Sequence, residues 1–369
     1  MNCTVQRSDL YPALQAVARA ATKRGTLVVL SNVLLTVGDA ELTISATNLT
    51  IRTTVTLPCQ TLCTGSITVN ARDLLAHIKS AGPLVKLALA AGQLSVSSDH
   101  SASTLPTLDA EEFPNGQATD ALIHTIGSDV LRRVLAETLY AAARDELRPI
   151  LHTVRMEIAN GSLTCVAADN YRLAVSSALL YAANSTVDSR DDTWSIDRDG
   201  AAELLHLLPK NSPVSFGGSH DRWPQVSFRF GSTLFLSRTI DGHYPNYQRI
   251  IPVNQPHTVE VERKPFLALA QAAERVARSG NGTLRMLVNG AMTLAVTGDA
   301  TYEASVPIID GSVQEVTIGL NASMLADMLA SVEAPTIKLS WSSHLAPITM
   351  HVPGRSTVLA VLMPVRLAN

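Results

Sequence analysis

The sequence has no excess of positive charge and few aromatic side chains. Among 369 residues, 29 Lys and Arg stand against 32 Asp and Glu, which gives a formal net charge of −3, and Phe, Trp and Tyr together make up 4%. This balance excludes a strongly basic nucleic-acid-binding protein, although net charge says nothing about local surfaces. The shortage of aromatic residues argues against a stacking platform for single-stranded nucleic acid. Any contact with DNA must be local and weak.

Long apolar runs and cysteine clusters are also missing. No apolar stretch approaches the roughly 18 residues of a membrane span, and the N-terminus MNCTVQRSDLYPAL carries charges where a signal peptide needs an apolar run. We therefore expect a cytosolic protein. The cysteines Cys3, Cys59, Cys63 and Cys165 fit reduced thiols. Cys59 and Cys63 have a loose metal-like spacing, but no second Cys or His pair follows at zinc-finger distance, so we expect no metal and no other cofactor.

Catalytic motifs are a third absence. The sequence contains no GxSxG elbow, no HExxH, no P-loop and no GxGxxG before a helix, and its 10 histidines are scattered without ligand spacing. An enzyme is the main alternative class, and we expect no catalytic activity. A lack of turnover with nucleotide or ester substrates would support that expectation.

What the sequence does contain is one unit written three times. Segments beginning at Cys3, His124 and His257 each predict a short strand that runs into an amphipathic helix. A strand pair, a second strand and helix, and a closing strand meander follow each of them. The three copies of roughly 120 residues are too long for a solenoid, whose units have about 20 to 50 residues.

This repeat predicts an α+β fold of three structurally equivalent domains, each with two helices packed on antiparallel sheets. The boundaries fall in polar or proline-containing links. We place the domains at residues 1–121, 122–255 and 256–369.

Basic residues recur on the outer faces of the predicted helices. In the first helix Gln15, Arg19 and Lys23 follow one another at helical spacing, whereas aspartates dilute the charge of the middle copy. A solvated face is the simpler interpretation for any one helix. Recurrence on equivalent helices favours a positive lining that neutralises the phosphates of a duplex without reading its sequence. The predicted DNA-binding residues of this lining are Arg19, Lys23, Arg24, Arg72, Lys79, Arg133, Arg198, Lys210, Lys264, Arg275 and Arg278.

Two stretches read as a binding surface. IDGHYPNYQRIIP, residues 240–252, and VLMPVRL, residues 361–367, combine prolines, apolar side chains and one arginine each. They are too broken for a helix and carry no recognisable catalytic group.

Segments along the whole chain resemble one family. In order they are TVQRSDL, LPTLDAEEFPN, AADNYRLAVSS, IDGHYPNYQRIIP and VLMPVRL. Together they resemble the bacterial sliding clamp, the β subunit of DNA polymerase III. The resemblance implies a homodimer of two chains that close head to tail into a ring, with duplex DNA in a helix-lined hole. Such a ring confers processivity on the replicative polymerase by encircling DNA, without chemistry.

The resemblance also implies a groove between the second and third domains, where the polymerase, the clamp loader and repair polymerases dock a linear peptide. Aliphatic and Met side chains would form an adaptable pocket, prolines its walls and arginines polar contacts at its rim. The matching positions are Leu151, Ala168, Asn170, Tyr171, Arg172, Leu173, Pro245, Arg249, Ile250, Val361, Met363, Pro364, Val365 and Arg366.

The chain departs from the family pattern at this groove. The family usually has Asp-Gly-His-Arg-Leu where this chain has residues 169–173, so Asn170 replaces Gly and Tyr171 replaces His. We expect Asn170 to adopt the left-handed conformation that Gly permits. Tyr171 adds bulk, which predicts a narrowed groove with altered preference among partners. The second functional hypothesis is therefore a specialised or inhibitor-resistant clamp paralogue.

Two other departures concern the ring and its DNA contacts. At the expected dimer interface His100 and Ala102 replace larger apolar residues opposite Val276 and Ala277, which predicts a looser dimer. In a loop that usually helps to hold DNA, the resemblance adds Arg148 to the predicted DNA-binding residues. Asp145, Pro149 and Ile150 of the same loop lack the usual polar or aromatic character.

Overall fold

The computed structural model describes most of the chain. The described residues are 1–22, 27–99, 101–114, 116, 122–145, 147–181, 191–220, 224–298, 300–312 (Ser312 by its backbone alone) and 315–367.

The chain folds into two compact units. Unit 1 comprises Met1–Asp129 and Ala202–Thr239, and unit 2 comprises Val130–Ala201 and Ile240–Asn369. Six α-helices lie in the described part of the chain, two in each repeat, as the repeat predicts. They are α1 Arg7–Ala18, α2 Ala71–Ser80, α3 Ser128–Leu139, α4 Arg198–Leu207, α5 Arg263–Ala277 and α6 Ala322–Ala330.

Unit 1 contains one antiparallel sheet of 13 strands. The first repeat supplies β1 Asn2–Gln6, β2 Asn32–Val37, β3 Glu41–Thr47, β4 Ile51–Pro58, β5 Gln60–Cys63, β6 Gly65–Asn70, β7 Leu84–Ala90, β8 Gln93–Ser98 and β9 Ser101–Leu108. The middle repeat supplies β10 His124–Gly127 and, after four strands that belong to unit 2, β15 Pro213–Ser219, β16 Gln225–Phe230 and β17 Thr233–Arg238. The strand order is β10-β15-β16-β17-β4-β3-β2-β6-β9-β8-β7-β1-β5.

Unit 2 contains the second antiparallel sheet, of 12 strands. The middle repeat supplies β11 Thr153–Ala159, β12 Ser162–Ala168, β13 Arg172–Leu179 and β14 Asp192–Asp197. The third repeat supplies β18 His257–Glu262, β19 Thr283–Val288, β20 Ala291–Val296, β21 Tyr302–Ser312, β22 Val316–Asn321, β23 Thr336–Trp341, β24 Ile348–Val352 and β25 Arg355–Leu362. The strand order is β14-β11-β12-β13-β25-β24-β23-β18-β21-β20-β19-β22.

Local sequence explains these elements. Along β4 buried and half-buried residues alternate, as expected of a strand with one face on the core. The second helix of the first and of the third repeat begins after an asparagine. Asn70 Oδ1 accepts the backbone N–H of Arg72 at 3.0 Å, and Asn321 Oδ1 accepts that of Met324 at 3.1 Å.

The apolar spacing of the first helix of each outer repeat is confirmed. In α1 the residues Leu10, Leu14 and Val17 are buried, and α5 buries Phe266 and Ala270 in the core of unit 2. However, α1 ends at Ala18, so Arg19 is its C-terminal capping residue. The continuous basic face from Gln15 to Lys23 that the sequence predicts is therefore shorter than expected. No helix of the described residues is long and apolar enough to cross a membrane.

Candidate peptide-binding groove

The two proline-containing stretches meet in unit 2 around a small hydrophobic cluster. This groove cluster consists of Val166, Ala168, Leu173, Tyr244 and Val361, from β12, β13, β25 and the stretch 240–252. Its members are at most 7% exposed. It forms a floor that is separate from the large core of the third repeat.

The chain end is held beside the cluster by backbone hydrogen bonds. Leu173 on β13 faces Val361 on β25 in the antiparallel register. The N–H of Met363 donates to the carbonyl oxygen of Tyr171 at 2.8 Å, and the N–H of Val365 donates to that of Gly319 at 2.9 Å. A Cβ at position 319 would lie 2.4 Å from the Val365 oxygen, so only glycine permits this approach.

Apolar side chains remain exposed around this floor. Tyr171 is 55% exposed, Ile250 47% and Met363 38%, and Pro245 is also exposed. Contiguous exposed apolar surface next to polar residues is typical of a partner-binding site. The arginines Arg249 and Arg366 are exposed as well, as expected of rim residues.

The other predicted groove positions lie within unit 2 with different exposures. Leu151 is buried, and its neighbour Ile150 packs on the groove cluster. Asn170 is exposed, and Pro364 and Val365 are half-buried.

Two tyrosines and an ion pair build one wall of the groove, and the sequence did not predict their roles. The Arg155 guanidinium carbon lies 5.4 Å from the centroid of the Tyr244 ring, and Arg155 Nε donates to Glu157 Oε1 at 2.6 Å. The Tyr247 hydroxyl donates to Glu157 Oε2 at 2.9 Å. Burial and the bond to Glu157 raise the pKa of Tyr247 to about 12. Alternation along β11 would have indicated only which face these side chains share.

The bend before β13 does not use a left-handed residue at Asn170. Among the described residues other than glycine, positive φ angles occur at Leu49, Ala91, Asn160 and Asn211. The expectation for Asn170 is therefore wrong. Instead, Asp169 Oδ1 accepts the backbone N–H groups of Tyr171 at 2.8 Å and of Arg172 at 3.0 Å, which closes the bend without a positive φ.

Arg172 is a structural residue and not a rim contact. It is 7% exposed, and its guanidinium donates to Asp169 Oδ2 at 3.0 Å and to Asp327 Oδ2 at 2.9 Å. It also lies 5.5 Å from the centroid of the Tyr140 ring. This corrects the expectation that all arginines of the groove face a partner.

Part of the expected DNA-binding set is exposed on or near the helices. A cleft of about 790 Å³ in unit 1 is lined by α1, α2 and the end of α4, with Arg19, Arg72 and His206 among its residues. Arg19 pairs with Glu203 at 2.6 Å there. Within the described part of the chain, six exposed members make no contact with a carboxylate: Arg72, Lys79, Arg148, Lys210, Lys264 and Arg275.

Other members of the DNA-binding set are engaged within the protein. Arg133 contacts the buried carboxylate of Glu137 at 3.3 Å, and Arg278 contacts Glu274 at 2.7 Å. Arg198 is half-buried, and burial together with the charge of Arg144 lowers its pKa. Lys23 and Arg24 lie outside the described residues.

The expected dimer residues have unequal exposure. Ala102 is exposed on β9, where it faces Ser97 of β8. Val276 is half-buried. Ala277 is 2% exposed within the core of unit 2, so its side chain is not on the surface and cannot take part in an interface. His100 lies outside the described residues.

Comparisons with known proteins cover the whole chain. Models of the DNA polymerase III beta subunit match it, the N-terminal domain over residues 1–117 and the central domain over residues 125–246. The chain is 30% identical over 380 residues to the Beta sliding clamp of Pseudomonas aeruginosa, with all of both chains covered.

Solved structures give the same result. The DNA polymerase sliding clamp from Bacillus subtilis has a TM-score of 0.92 at 22% identity, with both chains covered completely. The sliding clamp from Pseudomonas aeruginosa bound to griselimycin has a TM-score of 0.90 at 27% identity, again with complete coverage. The first of these comparisons concerns the fold alone.

Proposed function

The chain belongs to the DNA polymerase III beta subunit family, the bacterial sliding clamps, and from this premise we propose that two copies close into a ring around duplex DNA. The ring holds the replicative polymerase on its template by encirclement and catalyses no reaction. The match over the full length of the relative carries the proposal. The chain acts in the cytoplasm, where its DNA is.

The domains of this clamp are residues 1–121, 122–255 and 256–369. The ranges of the two family matches, 1–117 and 125–246, support the first boundary, and two helices in each of the three ranges support the whole division.

DNA contacts come from the exposed basic side chains that make no contact with a carboxylate among the described residues. Two helices carry most of these side chains. They are α2 of the first repeat, with Arg72 and Lys79, and α5 of the third repeat, with Lys264 and Arg275. A few dispersed cations neutralise phosphates without holding one register, so the ring slides. Arg133 and Arg278 contribute less because carboxylates of the protein already engage them.

Partner peptides dock on the groove cluster in unit 2. Its apolar floor and the exposed Tyr171, Ile250 and Met363 suit short segments with large apolar side chains. The polymerase, the clamp loader and repair polymerases all use this surface.

Topological binding is tested on circular DNA. A bacterial clamp loader places the labelled protein on a nicked plasmid, and gel filtration separates bound from free clamp. We expect retention on the circle and loss after one restriction cut, because a ring slides off a free end. Equal retention on circular and linear DNA would contradict encirclement.

The dimer is looser than is typical of the family. Ala102 offers little apolar area on β9, and Ala277 offers none, since it is buried within its own chain. Analytical ultracentrifugation with fluorescence detection should show monomer at nanomolar concentration and less monomer for Ala102→Leu. Only dimer at that concentration in the unmodified protein would refute this.

A specialised paralogue is the second candidate function. The exposed position of Tyr171 beside the groove cluster favours it, because a bulkier side chain there changes which peptides fit. Complementation of a clamp-deficient strain discriminates the two: a general clamp restores replication, whereas a specialist does not.

A further inference from the structure

Three side chains of kinds that can ligate a metal ion, one histidine and two aspartates, lie together at the start of α4 in unit 2. His152 ends the turn Pro149–His152, whereas Asp197 and Asp199 lie on either side of the first residue of α4. One ligand atom of each side chain lies within 4.8 Å of the other two. The histidine is 45 residues from the nearer aspartate along the chain, so folding alone brings the group together.

The imidazole of His152 is oriented for a metal. Its Nδ1 lies 2.9 Å from the carbonyl oxygen of Ala143. Because a carbonyl oxygen can only accept a hydrogen bond, Nδ1 carries the hydrogen. In the neutral ring the lone pair is then on Nε2, which points at Asp197 Oδ1. In most metal-bound histidines, an acceptor such as a backbone carbonyl oxygen binds the N–H of the other ring nitrogen and fixes the tautomer.

The spacing between these two atoms also fits an ion. Nε2 and Oδ1 are 3.6 Å apart, which is longer than a normal N–H···O hydrogen bond. Ligand atoms around a tetrahedral ion with bonds of about 2.0 to 2.1 Å are about 3.4 Å apart. The ligand atom of Asp199, which is exposed, lies within 4.8 Å of the other two and would have to approach them to bind the same ion.

Helix capping explains only part of this arrangement. Asp197 Oδ2 accepts the N–H of Asp199 at 3.0 Å, whereas neutral Asn70 and Asn321 perform the same role in the other repeats. The helix dipole favours a carboxylate at this position. It does not explain why the second oxygen faces an oriented imidazole.

We propose that His152, Asp197 and Asp199 bind one divalent transition-metal ion, Zn²⁺ or Mn²⁺. One imidazole with two carboxylates suits these ions better than Mg²⁺, which keeps most of its waters. Arg198 is the nearby cation that competes for Asp199. Neither ring closure nor peptide docking requires such an ion, so the site is additional to the proposed clamp function.

Isothermal titration calorimetry of the full chain with ZnCl₂ and, separately, MnCl₂ tests the proposal. We expect one site per chain for at least one ion, with affinity lowered more than tenfold in His152→Ala and in Asp199→Ala. His344→Ala is the matched control, since His344 is an exposed histidine of unit 2 outside the cluster. Absence of binding of both ions, or equal binding by all four proteins, would overturn the proposal.

Anomalous diffraction from crystals soaked in Zn²⁺ or Mn²⁺ gives an answer that needs no variant. The expected peak lies at bonding distance, about 2.0 to 2.3 Å, from His152 Nε2. If circular dichroism shows that a variant is unfolded, the diffraction experiment still tests the site because it uses the unmodified protein. A peak elsewhere, or none, counts against the site.

Discussion

Two strand pairs join neighbouring repeats, and their surroundings differ. At the first joint β17 pairs with β4 in unit 1, and at the second joint β25 pairs with β13 in unit 2. The backbone is alike in both, because the N–H of Arg238 donates to the Thr50 oxygen and that of Met363 to the Tyr171 oxygen, each at 2.8 Å. Charged Arg238 at the first joint thus corresponds to apolar Met363 at the second.

A buried aromatic residue lies at each joint, but the exposed residue at the end of the strand pair is charged Arg238 at the first joint and apolar Met363 at the second. Arg52 of β4 stacks 5.3 Å from the Phe113 ring centroid and donates to the carbonyl oxygen of Pro114. At the second joint Tyr244 is buried beside Arg155, yet Met363 stays exposed. The comparison shows that the strand pairing is common to both joints and that side chains alone make one of them a groove.

The largest expected effect concerns buried Arg172 in comparison with half-buried Arg52. Arg172→Met leaves the carboxylates of Asp169 and Asp327 without their shared partner and should lower the free energy of unfolding by about 3 kcal/mol. Arg52→Met removes only the hydrogen bond to the carbonyl oxygen of Pro114 and should lower the free energy of unfolding by about 1 kcal/mol. Urea denaturation followed by tryptophan fluorescence measures both. Arg172→Lys should recover part of the loss, and equal losses in the two Met variants would contradict the distinction.

The next effect concerns the residue after each joint. Met363→Arg gives the second joint the charge of the first and should weaken binding of a fluorescent clamp-binding peptide about 30-fold, or about 2 kcal/mol, because the peptide would bury an unpaired charge. Fluorescence anisotropy measures the affinity. Arg238→Met at the first joint is the control and should leave it unchanged. Weaker peptide binding in both Met363→Arg and Arg238→Met would show that the peptide does not bind specifically at the second joint.

Apolar periodicity predicted the two helices of each repeat, and the structure contains them. The groove positions came from the resemblance to the clamp family and stay a prediction. The sequence did not predict the partners of Arg172, since Asp327 is 155 residues away and pairing at that distance depends on the tertiary fold. It also missed the conformation at Asn170, because the Asp169 side chain closes the bend by a different route. The apolar spacing of α5 already assigned Ala277 to the buried face, so its assignment to the dimer interface conflicted with that pattern.

A smaller effect is expected at the bends that precede β4 and β13. Tyr171 is 55% exposed beside the groove cluster, and Leu49 is 46% exposed at the corresponding bend of unit 1. Tyr171→Ala should weaken peptide binding about fivefold, or about 1 kcal/mol, whereas Leu49→Ala should not. Tyr171→His tests the narrowed groove directly in the same anisotropy experiment. An affinity equal to that of the unmodified protein would refute the narrowing.

The smallest effect is the pH dependence of stability. It is expected at the second joint, where Tyr247 can titrate, and not from Phe113 at the first joint. The pKa of Tyr247 is about 12 in the folded protein, above the value of about 10 for an unfolded chain. The folded state therefore holds its proton more tightly, so this contribution to stability is complete below pH 10 and is lost as pH rises from 10 to 12.

The variant Tyr247→Phe tests this contribution. It should lower the free energy of unfolding by about 0.5 kcal/mol at pH 7 and should show a smaller fall of the urea midpoint between pH 9 and pH 11. Buried Tyr140 and Tyr244, whose pKa values are also raised by burial, remain in both proteins, so the difference between the two slopes reports Tyr247 alone. Identical slopes would show that the proton shared with Glu157 does not stabilise this wall.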